Sequence, residues 1–380
     1  MTNARRFLQT FPLFTLAACG GDPDFAPALE TYAAIAEATY EDSRTTALAL
    51  QSANDALVAT PSETTLEAAR AAWLASREPY GQSEVLRFYG GPIEQGDPEI
   101  EGALNAWPID ESVIDYVRDP GSGTIQPTGL VNDPARTIDE ATLRAENGAA
   151  AEEAVTTGYH PIEFLLWGQD DPEQDGTGAR PATDYVDGMG ENAARRATYL
   201  GVASDLLVAD LDRVLALWRG EYRASFTSGG RASIRDVLHA MAFLSEAELG
   251  GERIGVALET GDQEDEHSCF SDNTHRDAAT NAMGIRNVYL GQYRRVDGTM
   301  VTGPSLSDLV RERDAALDTR LRSELDASVA AAQAIVPPFD REIVRTEGRA
   351  RLQALIAALR AQSQSIQEAG RLFGIEITLG

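Results

Sequence analysis

The chain has 380 residues, of which 43% are apolar, and this favours two domains because single cores rarely grow beyond about 250 residues. It carries 60 acidic against 32 basic residues, and the resulting net charge of −28 argues against nucleic acid as a partner. No lysine occurs anywhere, which excludes Schiff-base and lysine general-base chemistry.

Residues 1–18 are predicted to be a lipoprotein signal peptide, since a cationic start precedes an apolar stretch too short to span a bilayer. The letters LAAC at 16–19 resemble the lipobox of bacterial lipoproteins, which predicts lipidation of Cys19. The alternative is an ordinary secretory signal with a chance cysteine. The lipoprotein interpretation predicts a cell-envelope location, in the outer membrane facing the periplasm or the cell surface. It also leaves Cys269 without an intrachain disulfide partner.

After a tether at 19–27, apolar residues recur at helical spacings of three and four, and no convincing alternation of period two occurs. Ser305 and Asp308 predict a capping box at a helix start. We therefore expect an all-α fold of helical bundles. One predicted helix face consists of Leu200, Leu207, Leu211, Val214 and Trp218.

Polar residues and the pair Gly229-Gly230 interrupt the helical pattern about halfway along the mature chain. This interruption predicts a linker at 219–232. The linker would separate an N-terminal helical domain at 28–218 from a C-terminal helical domain at 233–380.

The stretch GYHPIEF contains Gly158, His160, Pro161 and Glu163. Pro161 suits the first position of a helix, which would place His160 near the N-cap and Glu163 one turn on. A spacing of three brings an imidazole and a carboxylate within reach of one metal ion. The same pattern is equally that of a helix start in which His160 caps and Glu163 complements the helix dipole.

Residues 264–275, EDEHSCFSDNTH, form a second cluster rich in metal-binding and hydrogen-bonding groups. Its candidate site residues are Glu266, His267, Asp272 and His275. The alternative is an acidic loop in which Ser271 or Asp272 caps the following helix.

A third stretch places Trp73, Arg77, Tyr80 and Glu84 at steps of three and four, so that charges share a helix stripe with aromatic rings. The stripe fits arginine–glutamate pairing on a solvated face. It also fits an inward Glu84 that acts as a ligand.

Together these stretches resemble the imelysin-like family of bacterial envelope proteins, which includes the iron-regulated protein A group and proteins named for insulin-cleaving membrane protease activity. The resemblance rests on the Gly-x-His-x-x-Glu motif at 158–163. It is supported by residues 264–275, by NAWPIDE at 105–111 and by the helix around Arg77. It covers nearly the whole mature chain and implies two bundle-like domains, with an internal duplication as one origin.

The resemblance also implies a role in iron acquisition, with iron, another divalent metal or an iron chelate as ligand and an iron-transport protein as partner. The implied metal ligands are His160 and Glu163, extended here to Glu84 and Asp110. Zinc is a weaker candidate than iron, and the sequence does not address haem.

Two alternatives remain open from the sequence. The first is a metal-dependent peptidase that uses the His-x-x-Glu pair, although the zincin motif His-Glu-x-x-His is absent. The second treats the Arg, Glu and His cluster as structural polar packing at the interface between the two domains.

Overall fold

The computed structural model of the chain describes residues 23–96, 99–119, 121–170 and 177–379. The predicted signal peptide and Cys19 lie outside these residues. Helices dominate the described part, and none of its helices is both long and apolar enough to cross a membrane. The prediction of an all-α fold is confirmed.

In chain order the helices are α1 (Ala26–Ala59), α2 (Glu63–Ser83), α3 (Ile100–Leu104), α4 (Gly129–Asn132), α5 (Glu140–Glu146), α6 (Tyr159–Trp167), α7 (Ala193–Arg219), α8 (Glu221–Ser228), α9 (Arg231–Phe243), α10 (Gly255–Thr260), α11 (Thr274–Leu290), α12 (Leu306–Arg313), α13 (Ala315–Gln333), α14 (Phe339–Val344) and α15 (Thr346–Leu372). The strands form two small antiparallel hairpins: β1 (Val117–Arg118) with β2 (Ile125–Gln126), and β3 (Gln292–Arg294) with β4 (Met300–Thr302).

The long helices pack in two groups. In the N-terminal half α1 lies along α2 and α7, and in the C-terminal half α15 packs against α9 and α13. Helix α11 contacts both α13 and α2, so it joins the two groups. One continuous cluster of buried apolar residues runs through both halves.

Local sequence signals account for several element boundaries. The predicted capping box is present at α12, where Ser305 and Asp308 exchange side-chain and backbone hydrogen bonds. The five residues of the predicted face of α7 are all buried. Helix α1 begins at Ala26, so the predicted tether ends slightly earlier than residue 27.

The predicted linker at 219–232 contains helix α8. Phe226 on this helix is buried and packs against Tyr32 and Trp218, with ring centroids 5.2 and 5.7 Å apart. Arg223 adds a 2.8 Å ion pair to Glu37 of α1. The segment is therefore bound to the N-terminal helices, and the division into two domains stays a prediction.

A π-helix at Leu244–Arg253 continues α9 without a break. Such wide turns are rare and recur at functional sites. A Cβ at position 250 would lie 2.8 Å from the Ser245 carbonyl oxygen, so Gly250 provides the space for this turn beside α15. The π-helix carries Glu248 and Arg253, which form a 2.8 Å ion pair, and Arg253 is almost completely buried.

Candidate functional site

Helix α6 begins earlier than the sequence predicts. Its N-cap is Gly158, with φ of +95°, and its first helical residue is Tyr159. The prediction that Pro161 opens the helix and His160 caps it is therefore wrong. Gly158 can adopt a backbone conformation that other residues avoid, and a Cβ there would lie 2.4 Å from the Leu104 carbonyl oxygen. This tight turn buries the whole first turn of α6, including both motif side chains.

His160 and Glu163 contact each other directly. The imidazole Nδ1 lies 2.9 Å from Glu163 Oε2. The other oxygen, Oε1, accepts hydrogen bonds from the Ser271 backbone N–H at 3.0 Å and the Ser271 hydroxyl at 2.6 Å. Glu163 thus connects α6 to the loop before α11. His160 Nε2 is buried and has no hydrogen-bond partner among the described residues.

Burial favours the neutral forms of both groups. It lowers the pKa of His160 to about 3, an effect to which Arg77 adds. It raises the pKa of Glu163 to about 8, although the hydrogen bonds from Ser271 act in the opposite direction. At neutral pH both groups are therefore uncharged, and the protonated Glu163 carboxyl donates to His160 Nδ1.

A second imidazole–carboxylate pair lies beside the first. His267 Nδ1 is 2.9 Å from Asp277 Oδ2, and the Ser268 hydroxyl donates to the same oxygen at 2.6 Å. Arg77 donates to Asp277 Oδ1 through Nε and Nη2 at 3.3 and 3.2 Å. Burial opposes ionisation of Asp277, but Arg77 and His267 hold its pKa well below the usual range. The ionised carboxylate fixes Nδ1–H as the donor and leaves the lone pair on His267 Nε2.

The two imidazole rings are in edge-to-face contact. Their ring centroids are 4.9 Å apart at an interplanar angle of 73°, and Trp107 packs edge-on against His267 at 5.7 Å. Both rings line a small cavity of about 10 Å³, and Cys269, whose thiol is free, contributes to its wall. The structure thus brings His267, from the second predicted cluster, to the His160 motif.

Glu84 is paired with arginines. Its Oε2 accepts hydrogen bonds from Arg253 and Arg87, both at 2.7 Å, and its Oε1 accepts one from Asn105 at 3.3 Å. Asn105 in turn accepts a bond from Arg77 at 2.6 Å. Burial alone would raise the pKa of Glu84, but Arg253 and Arg87 lower it to about 2. Its charge is therefore already compensated by protein groups.

The helix stripe predicted around Arg77 faces inward. The Arg77 guanidinium lies over the rings of Trp73, Tyr80 and Tyr159, at 5.6, 5.4 and 5.0 Å from the centroids. Trp73 also donates to the Tyr159 carbonyl at 2.9 Å. The interpretation of this stripe as a solvated face is wrong, because its residues are buried and pack against the start of α6.

The remaining predicted site residues lie apart from the imidazole pair. Asp110 is exposed and accepts a 3.0 Å bond from the Ser112 N–H. His275 contacts the Asp272 carbonyl at 2.9 Å and lines a separate groove of about 670 Å³. Glu266 is buried, and neither of its oxygens has a hydrogen-bond partner among the described residues. Burial and neighbouring Asp272 raise its pKa well above the usual value.

Helix α11 has Asn273 as its N-cap, so neither Ser271 nor Asp272 caps it as the sequence suggested. Ser271 instead holds Glu163. Within the described residues, no three His, Cys, Asp or Glu side chains already converge on a common metal position. The metal-ligand roles assigned to His160, Glu163, Glu84 and Asp110 therefore stay predictions.

Sequence reasoning missed the residues that connect the two halves. Asp277 lies only two positions after His275, yet no spacing rule links it to Arg77, which is 200 residues away. Arg253 lies on the π-helix, which apolar periodicity does not reveal. Gly250 and Gly251 at its centre are the local signal that this segment is not an ordinary helix.

Acid should destabilise the metal-free protein, because His267 binds a proton in the unfolded chain at a pH at which it stays unprotonated in the folded protein. Burial and Arg253 lower the folded pKa to about 3 from an ordinary 6.5. The stabilisation is present above pH 6.5 and is lost progressively as the pH falls toward 3, by up to about 1.4 kcal/mol per pH unit for this imidazole.

Urea unfolding between pH 7 and 4.5 measures this slope. The His267→Gln variant should show a shallower fall than the wild-type protein, and a His239→Gln control outside the site should match the wild type. Equal slopes for all three proteins would contradict the assignment of a buried neutral His267.

An open cleft of about 840 Å³ adjoins the imidazole pair. Its walls come from both halves of the chain, with Trp107 and Asn147 on one side and Glu252 and Arg253 on the other. His267 lines both this cleft and the small cavity beside His160. The motif thus lies next to the junction of the two helix groups.

Comparison with known proteins gives consistent results. The chain is 25% identical over 307 residues to iron-regulated protein A of Synechococcus elongatus (strain ATCC 33912 / PCC 7942 / FACHB-805), covering 81% of this chain and 74% of that protein. Two crystal structures share the fold. One is of a protein assigned as an iron-regulated protein A precursor from Parabacteroides distasonis ATCC 8503, with a TM-score of 0.69, 19% identity and coverage of 94% and 97% of the two chains.

The other structure is of an imelysin-like protein from Psychrobacter arcticum 273-4, with a TM-score of 0.63, 14% identity and coverage of 93% and 98%. The sequence profile of the Imelysin family, peptidase family M75, matches residues 36–366. This match spans most of the chain and includes both imidazole–carboxylate pairs and the arginines between them. The chain therefore belongs to the imelysin family.

Proposed function

We propose that the protein binds iron, another divalent metal or an iron chelate at the His160–His267 pair and takes part in iron acquisition. The observation that carries this proposal is the buried His160 Nε2, which has no hydrogen-bond partner among the described residues. An unpaired buried nitrogen is costly, and a bound cation would satisfy it.

The surroundings of the two rings support a donor role. Metal-binding histidines typically donate Nδ1–H to a carboxylate, which orients the ring and raises the basicity of Nε2. His267 has this relation to ionised Asp277, and His160 would gain it when a cation replaces the proton on Nε2 and Glu163 becomes ionised. In this arrangement Glu163 orients His160. Neither imidazole is an imidazolium at pH 7, so binding of a cation requires the loss of only one proton, from the His160–Glu163 pair.

Metal binding by the purified mature protein tests the proposal. Anaerobic titration calorimetry with Fe²⁺, repeated with Mn²⁺ and Zn²⁺, should give one site whose affinity falls about 100-fold or more in His160→Ala. Glu163→Gln should weaken binding by about 10- to 100-fold, as loss of an orienting carboxylate does. The His239→Ala variant is the matched control and should bind as the wild type does.

A purely structural role for the cluster predicts a different pattern. In that case His160→Ala would lower the melting temperature while every measured metal affinity stayed unchanged. Full metal retention in both His160→Ala and Glu163→Ala would refute the proposed binding site.

We further propose that the protein acts from the cell envelope, anchored by a lipid on Cys19 and passing its cargo to a transport protein. Labelling of growing cells with an alkynyl fatty acid should modify the wild-type chain and leave Cys19→Ser unlabelled. Equal labelling of both would contradict the lipid anchor at Cys19.

A further inference from the structure

The open cleft beside the imidazole pair carries an excess of negative charge. Its lining includes two guanidiniums, Arg87 and Arg253, both of which are already paired with carboxylates. The carboxylates that line it are Glu99, Glu101, Glu152, Glu248 and Glu252. The paired residues among these are Glu101, at 3.0 Å from Arg87, and Glu248, at 2.8 Å from Arg253.

The other three carboxylates have no such compensation. Glu99, Glu152 and Glu252 are exposed and make no ion pair within the described part of the chain. Glu152 comes from the N-terminal half and Glu252 from the π-helix, so the charge lies on both sides of the opening. A concave surface lined by one sign of charge concentrates ions of the opposite sign and raises their association rate.

The inner end of the cleft sets a size limit. Trp107 and His267 line both the cleft and the cavity of about 10 Å³ that His160 borders, so these two side chains form the partition between them. A cavity of this size holds about one water-sized species. An ion can occupy it, whereas a chelate of many atoms cannot enter without displacing the partition.

We infer that the cargo of this site is a small divalent cation, which enters through the acidic cleft between the two halves and loses most of its water shell at the inner cavity, and that anionic iron chelates are excluded. This inference rests on the proposed function and narrows its ligand class. The negative charge of Glu99, Glu152 and Glu252 attracts a cation and repels a negatively charged chelate. Both effects extend over about 10 Å at 0.1 M salt. The His160 Nε2 atom, which has no hydrogen-bond partner among the described residues, lies beyond the partition and is the proposed ligand of the cation.

The association rate is the sharpest test, because surface charge acts on encounter more than on dissociation. Stopped-flow competition against a chromogenic Fe²⁺ chelator, under anaerobic conditions, compares the wild type with Glu152→Gln/Glu252→Gln. At low ionic strength the association rate should fall about 3- to 10-fold in the double variant. The dissociation rate should stay unchanged, and the difference should shrink as salt is added.

The matched control is Glu312→Gln/Glu347→Gln, which removes the same charge from exposed positions on α12 and α15. It should associate at nearly the wild-type rate, which separates the effect of the cleft from that of net charge. Circular dichroism of both double variants checks that they are folded. In parallel, ferric citrate serves as the anionic chelate and should compete with Fe²⁺ only weakly.

Failure of the cleft as the route of entry can be distinguished from failure of the proposed metal binding. If the wild-type protein binds no metal ion and no chelate, the proposed function fails and the inference fails with it. If Fe²⁺ binds but the cleft variant and the control associate equally fast, the cleft is not the route. If ferric citrate binds more tightly than Fe²⁺, the assignment of a small cation as cargo is overturned.

Discussion

Replacing Arg77 with methionine is expected to lower the free energy of unfolding by about 3–5 kcal/mol. Arg77 is 2% exposed and holds the equally buried Asp277 through two hydrogen bonds. Methionine keeps much of the side-chain volume but leaves Asp277 as an uncompensated buried charge. Asn105, which accepts a 2.6 Å bond from Arg77, also loses its donor.

Equilibrium urea unfolding measures the loss, and Arg276→Met is the matched control. Arg276 forms a 2.8 Å ion pair with Glu78, but both side chains are more than one-third exposed. Its replacement should therefore cost no more than about 1 kcal/mol. The double variant Arg77→Met/Asp277→Asn should regain part of the stability because it removes the stranded charge. A loss for Arg77→Met no larger than that for Arg276→Met would show that Asp277 does not depend on Arg77.

Replacing Gly158 with alanine is expected to cost about 3 kcal/mol or more, because strain and overlap add at this position. The φ of +95° and ψ of −165° lie in a region that is essentially restricted to glycine. The new Cβ would also lie 2.4 and 2.6 Å from the carbonyl oxygen and carbon of Leu104. These are backbone atoms, so α3 or α6 must shift, and His160 with it.

A second glycine-to-alanine change provides the control for Gly158→Ala. Gly201 lies inside α7, has no positive φ and has open space at its Cβ position. Gly201→Ala should stabilise the protein by up to about 1 kcal/mol, because alanine favours the helix. Thermal and urea unfolding of the two variants should therefore change in opposite directions. Equal stability of Gly158→Ala and the wild type would mean that α6 can begin without this turn.

Much of the fold could be predicted from the sequence because local patterns determine it. The apolar spacing along α7 identifies its buried face, and the capping box at Ser305 marks the start of α12. Predictions from local rules were less accurate at Gly158, where tertiary contact with Leu104 determines the turn. The helix α8 also went unrecognised, since Gly229 and Gly230 suggested a linker across it.

The site was predicted only in part. Spacing correctly placed His160 beside Glu163. The sequence suggested that both side chains bind one metal ion, whereas in the structure Glu163 contacts the imidazole itself. An inward Glu84 was one of two alternatives for its helix stripe, and its partner Arg253 lies 169 residues away, where no local rule connects them. Contacts of this kind depend on the docking of distant helices, and the local patterns of a single sequence do not reveal that docking.

That docking determines when the site exists during folding. The bonds that assemble it join residues separated by 200 positions (Arg77 and Asp277), 169 positions (Arg253 and Glu84) and 108 positions (Ser271 and Glu163). Contacts between distant residues form after local ones, because a long loop must close first. A nascent or truncated chain that ends before Ser271 carries the whole Gly-x-His-x-x-Glu motif yet lacks both Ser271 and Asp277. The motif becomes a site only when the segment from Ser271 to Asp277 has packed against α2 and α6.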